Sequence, residues 1–354
     1  SLGLNATSSF VIAASTGLIA NASDLDQVAT SSGGTTTVRG LNTSTADLSE
    51  LNSTNVVIDI ESANAAVGTG FDLAGRAYSV IGTGELDLTS ASTVSTSASY
   101  ALGTGTDLKI NAADVTGVTI TDTGSDSTVT VVGLQNQTDA DLGSVGANSI
   151  SATVVVAGTV TLTGDLNGAD LVVSSVSGTP VLNLTSAGTI GSIDFGNNAM
   201  KVIVSEAQYS ALTGISNLTG SQTIQIVDAT NAAGSDASVA QLAGIETYEI
   251  NPNGANDNLT FTTISGGESV NLTRTGSTDA LVKITLGQSA RYDGTWSSFA
   301  SGDEILVSGS SSANVEGVNS GASLGGISTA VVGNGSSLTA KAAQLSGALI
   351  SGNG

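Results

Sequence analysis

The stretch Val204-Ser205-Glu206-Ala207-Gln208-Tyr209, followed across a loop by Thr223-Ile224-Gln225-Ile226-Val227-Asp228, decides the fold. Ser205 is placed to accept from the amide of Gln208, Gln208 to reach back to Ser205, and Val204 to staple onto Tyr209, which together make a capping box. One short helical turn is predicted there. Thr223, Ile224, Gln225, Ile226 and Val227 alternate with period two and are mostly β-branched, the pattern of a strand. The unit is a capped turn, a loop and a strand.

The same unit recurs along the chain. A cap residue, any residue, a small residue, Asp or Gln, and an apolar residue follow one another in Asn21-Ala22-Ser23-Asp24-Leu25, Ser44-Thr45-Ala46-Asp47-Leu48 and Asn111-Ala112-Ala113-Asp114-Val115. They return in Thr138-Asp139-Ala140-Asp141-Leu142, Asn167-Gly168-Ala169-Asp170-Leu171 and Ser238-Val239-Ala240-Gln241-Leu242. A last copy, Ala342-Ala343-Gln344-Leu345, has Lys341 in the cap slot. Two copies agree over a longer window, Ala112-Ala113-Asp114-Val115-Thr116-Gly117-Val118-Thr119-Ile120-Thr121 with Ala342-Ala343-Gln344-Leu345-Ser346-Gly347-Ala348-Leu349-Ile350-Ser351. The steps are uneven, and several fall near roughly 30 residues, within the period range of solenoids.

Between the turns lie short β-branched runs at 56–60, 118–121, 128–132, 151–156, 159–163, 171–173 and 181–184, separated by Gly, Asn, Asp and Ser. No long amphipathic helical pattern is evident, which argues against a doubly wound α/β fold. A string of sandwich domains wants large aromatics in its cores, and aromatics are 3% of this chain. Narrow solenoid coils are filled well by Val, Ile, Ala, Ser and Thr. The expected architecture is all-β, a parallel β-solenoid (β-helix) with short capped helical turns between strands. An N-terminal part over 1–200 is expected to continue into a C-terminal part over 201–354.

Composition narrows the function. Hydrophobic residues reach 40% despite the scarcity of aromatics, so the chain can bury a core and is not of the disordered class. Eight Lys and Arg against 30 Asp and Glu give a net charge of -22, which repels nucleic-acid phosphates and anionic membranes. Without Cys there is no disulfide, thiolate nucleophile or thiolate zinc site; without His the commonest general base and transition-metal ligand is missing. No run approaches the roughly 20 apolar residues of a membrane-spanning helix. The chain opens on Ser with neither a charged nor an apolar leader behind it, and its acidic, Cys-free composition suits an exported bacterial protein.

At 239–250 the sequence Val239-Ala240-Gln241-Leu242-Ala243-Gly244-Ile245-Glu246-Thr247-Tyr248-Glu249-Ile250 resembles an element that recurs in surface-layer proteins and large adhesins of Gram-negative bacteria, many exported by type I systems. The Thr-, Ser-, Ala-, Gly- and Val-rich texture of the whole chain is similar. The resemblance implies a β-solenoid that assembles into a lattice, filament or adhesive array on the cell surface, commonly with bound calcium. One departure is plain: the calcium-binding nonapeptide repeat of such proteins is missing, and Gly302-Asp303-Glu304-Ile305-Leu306 is its nearest match.

Hard cations need clustered oxygen ligands, and the turns supply candidates for calcium. These are Asp122 and Asp126, Asp139 and Asp141, Asn256 and Asp257, and Asp303. The alternative is that each carboxylate or amide serves its own turn. Arg274, Lys283, Arg291, Tyr292, Trp296 and Phe299 concentrate basic and aromatic residues within 274–299, beside Asp279 and Asp293. Arg274, Arg291, Tyr292, Trp296 and Phe299 are expected to form a contact surface for a neighbouring subunit or an anionic polysaccharide, or else a cap over the solenoid. One Trp and eight basic residues are a poor endowment for a sugar-cleaving groove, and the chain is not expected to be an enzyme. The expected function is that of a secreted structural protein which self-assembles on the bacterial surface as a layer, filament or matrix, aided by calcium. An adhesin or glycan-binding segment of a larger protein, and a polysaccharide-degrading β-helix enzyme, stand as alternatives.

Overall fold

Inward-facing residues stack in columns, one residue per coil, and these columns organise the chain. The computed structural model describes residues 10–12, 18–21, 28–30, 35–39, 41, 51, 55–61, 64–69, 71–135, 141–227, 237–252, 259–263, 270–276, 280–286, 290–319 and 322–352. Strand makes up 57% and helix 4%, and the parallel strands wind as a β-solenoid of about 12 turns. The expected fold class is the observed one. Register partners on successive strands lie 18 to 25 positions apart, a shorter step than the sequence copies suggested. The strand returns in every coil, whereas the capped turn returns only in some.

The chain forms two compact units. The first comprises Ser1–Val155, Leu162–Val172 and Ala187–Gly191, and the second Val156–Thr161, Val173–Ser186 and Ser192–Gly354. In the first unit, Thr36, Val56, Tyr78, Tyr100, Ile120 and Val145 are register partners on successive parallel strands, and all are buried. The rings of Tyr78 and Tyr100 stack with centroids 5.5 Å apart. A neighbouring column runs Val38, Ile58, Val80, Leu102 and ends on Asp122.

In the second unit, Leu182, Val202, Ile224, Tyr248, Leu272 and Trp296 form one buried column. Beside it run Val204, Ile226, Ile250 and then Arg274. A separate six-stranded parallel sheet carries Val239, Phe261, Ile284, Ile305, Ala330 and Ile350 in register. Each fully buried Val, Leu or Ile contributes about 1.5–3 kcal/mol. Helical turns of four to six residues do not stand alone, so the columns hold the fold and the turns ride on them.

The capping box forms as its spacing predicts, at the head of the helix Glu206–Ala211. The copy at Ala112–Val115 is also helical, but Asn111 makes no capping bond to the backbone there; its amide reaches the Thr89 carbonyl and Asp114 instead. The long match between 112–121 and 342–351 is a shared turn. Val118 N–H donates to the Val115 carbonyl at 3.1 Å and Ala348 N–H to Leu345 at 3.0 Å, with Gly117 at φ 84 and Gly347 at φ 79. Ile245 and Leu242 repeat it, with Gly244 at φ 83. Such turns need a positive φ at their third position, and glycine supplies it. The copies around 22–25, 44–48 and 138–140 lie outside the described residues. Two pairs of expected strands prove continuous: 151–156 with 159–163 in Ser149–Gly164, and 171–173 with 181–184 in Ala169–Ala187.

Candidate functional site

Many of the described polar side chains are directed at backbone, that of their own turn or of a neighbouring coil. Gln208 accepts from the Ser205 amide at 3.0 Å through Oε1, and its Nε2 donates to the Leu184 carbonyl one coil earlier at 2.6 Å. Gln344 does the same, accepting from the Lys341 amide at 2.8 Å and donating to the Val315 and Val318 carbonyls at 2.7 and 2.6 Å. Gln241, also buried, donates to Ile245 at 3.2 Å. Asp141 and Asp170, at the matching position of other copies, are exposed, and Asp114 is partly so. The sequence pattern treated Asp and Gln as equivalent. The structure separates them, because a glutamine amide both accepts and donates without carrying a charge into the interior.

Gln222 belongs to the same set and was missed. Its Oε1 accepts from the Thr219 amide at 3.0 Å and its Nε2 donates to the Asn198 carbonyl at 2.8 Å. The signal was present, since Thr219-Gly220-Ser221-Gln222 has capping-box spacing. Asn319 was missed too. Its side chain accepts from Trp296 N–H and donates to Trp296 carbonyl, both at 2.9 Å, and so stands where a further strand would pair.

The described calcium candidates accept hydrogen bonds from backbone amides. Asp122 accepts from the amides of Gly124 and Ser125 at 2.8 and 2.7 Å and from Ser127 at 3.0 Å. Partial enclosure acts to raise its carboxyl, but these amides outweigh it and hold the group below the usual carboxylate range. Asp126 accepts from the Gly105 amide at 3.1 Å, and Asp141 from the Gly143 amide at 2.9 Å. Asp303 is wholly enclosed against Arg274. Asp139, Asn256 and Asp257 lie outside the described residues. Among the described residues there is no group of three or more carboxylate side chains that could hold a metal ion.

The contact surface expected from Arg274, Arg291, Tyr292, Trp296 and Phe299 is corrected. Four of the five are interior: Arg274, Tyr292, Trp296 and Phe299 are buried, and only Arg291 is exposed. Trp296 continues the Leu272 column and donates from its indole to the Val270 carbonyl at 3.1 Å. The Tyr292 hydroxyl accepts from Thr263 Oγ1 at 2.8 Å. Arg274 sits in the column after Ile250, where its guanidinium meets both oxygens of Asp303 at 2.8 and 2.9 Å and donates to the Ala280 carbonyl at 2.7 Å. Asp303 also accepts from the amides of Val282 and Ala300. Large side chains fill the coil interior here, so the rings of Tyr292, Trp296 and Phe299 are part of the core.

The other ion pairs among the described residues lie on the outer faces; three link neighbouring coils and that of Lys201 reaches across the coil between. Arg39 pairs with Asp59, Lys109 with Asp87, Lys201 with Glu249 and Lys283 with Glu304. Among the described residues no helix is long and apolar enough to cross a membrane. The most exposed large hydrophobic residues are Leu349 and Ile350, at 66% and 53%, on the strand Leu349–Gly352. That strand pairs with Thr329–Val332 on one side and with no described strand on the other. Comparison of the chain with family models, curated proteins and solved structures gives no match.

Proposed function

We propose that the chain is a secreted structural protein of the bacterial surface that associates with further copies of itself. The observation that carries this reading is the coil stack itself, whose inward-facing residues pack in continuous columns as a parallel β-solenoid. The reading is also supported by the use of Gln208, Gln222, Gln344, Asp122 and Asp303 as internal struts, which suits a protein whose product is its own shape.

Electron microscopy and light scattering of the purified chain over a concentration series, in calcium and in chelator, test the proposal. Ordered filaments or sheets are expected to form as concentration rises. Monodisperse monomers at every concentration in both buffers would overturn it.

A further inference from the structure

Asn334 and Gly335 sit at the centre of the turn between the strands Thr329–Val332 and Ser337–Thr339. The Ser336 amide donates to the Gly333 carbonyl at 3.0 Å, and Gly335 has φ 71, the type II form. Asn334 is exposed. Neither its side chain nor the Gly335 amide has a hydrogen-bond partner among the described residues. We infer that Asn334 is a site of spontaneous covalent modification, in which its side-chain amide is lost to water through a cyclic imide.

The chemistry needs nothing beyond solvent. The Gly335 backbone nitrogen gives up its proton to water or hydroxide and attacks Asn334 Cγ. The new N–C bond closes a five-membered imide, the Cγ–Nδ2 bond breaks, and ammonia leaves. Water then adds to either imide carbonyl and opens the ring to aspartate or, when the main-chain carbonyl is attacked, to isoaspartate. The net change is amide plus water to carboxylic acid plus ammonia. Glycine at the following position matters because no Cβ obstructs the approach.

A second exposed Asn-Gly pair in the same molecule provides the contrast. At Asn167-Gly168 the attacking amide is held, since Gly168 N–H donates to the Thr189 carbonyl at 2.9 Å. The side chain is held as well, since Asn167 Nδ2 donates to the Val145 carbonyl at 2.8 Å. Both hydrogen bonds must break before attack, so Asn334 reacts about tenfold faster than Asn167, or more. Isoaspartate at 334 inserts one extra main-chain carbon into a turn that fixes Thr329–Val332, the strand on which Leu349–Gly352 is laid. Either product adds a negative charge there. The inference does not depend on the proposed self-association.

The test is a time course of the folded chain at mildly alkaline pH, with peptide mapping by mass spectrometry and isoaspartate detection at both sites. A parallel course in denaturant removes the difference in structure. The expected result is conversion at 334 well ahead of 167 in the folded chain, and similar rates at the two sites in denaturant. Equal rates in the folded chain, or an Asn334 that stays amidated when folded but reacts when unfolded, would overturn the inference. An Asn334→Gln chain should lose the signal at that peptide, and persistence of the signal would equally overturn it.

Discussion

Arg274 Nη1 meets both carboxylate oxygens of Asp303 in an ion pair inside the coil, with side chains only 2% and 1% exposed. The position is next in register after Ile250, so a cation occupies a site that an aliphatic residue fills on the coils before it. Its charge is balanced by one carboxylate that also accepts two backbone amides. Removing either partner leaves a buried charge uncompensated, which costs about 3–5 kcal/mol, whereas removing both is far milder. Arg274→Met is expected to lower the unfolding free energy by an amount in that range. The double change with Asp303→Asn is expected to recover most of the loss. Urea titrations of the four proteins in the cycle measure this, and a single change costing well under 1 kcal/mol would refute the structural role.

Gln208 joins two coils through one side chain, and the consequences of changing its two ends differ. Gln208→Ala removes the cap on Ser205 and leaves the Leu184 carbonyl without its donor, an expected loss of about 2–3 kcal/mol. Gln208→Glu keeps the acceptor but sets a carboxylate against that carbonyl. It is expected to be less stable than wild type at neutral pH and to regain part of the difference as the new carboxyl protonates. Denaturant midpoints at neutral and acidic pH report it; a Glu variant matching wild type at neutral pH would show that the Nε2 contact contributes nothing.

How far the sequence discloses this molecule can be judged from the same residues. The alternation of Thr223-Ile224-Gln225-Ile226-Val227 and the spacing of Ser205 and Gln208 are local facts, and local physics was enough for the strand, the cap and the fold class. Coil length was not legible, because the repeated motif marks some coils and the ladder partner lies 18 to 25 residues away. Arg274 was misplaced for an instructive reason. The parity of Asn271-Leu272-Thr273-Arg274 puts Arg274 on the face of Leu272, and its charge suggested the opposite. The residue that reconciles the two is Asp303, 29 positions on. A buried pair at that separation carries no local signature, and the same holds for the Trp296 pairing taken over by Asn319.

Asp122 closes the column begun by Val38 and Ile58, and its carboxylate gathers three amides of the following turn. Its folded carboxyl is held below the ordinary value, so its contribution to stability is present above the unfolded pKa and fades as pH falls through the depressed folded one. Asp122→Asn is therefore expected to lower the melting temperature at neutral pH, with the gap to wild type narrowing in acid. Because the amides already fill the carboxylate, the gap should be the same in calcium and in chelator. A gap seen only in calcium would mean that the turn holds the ion.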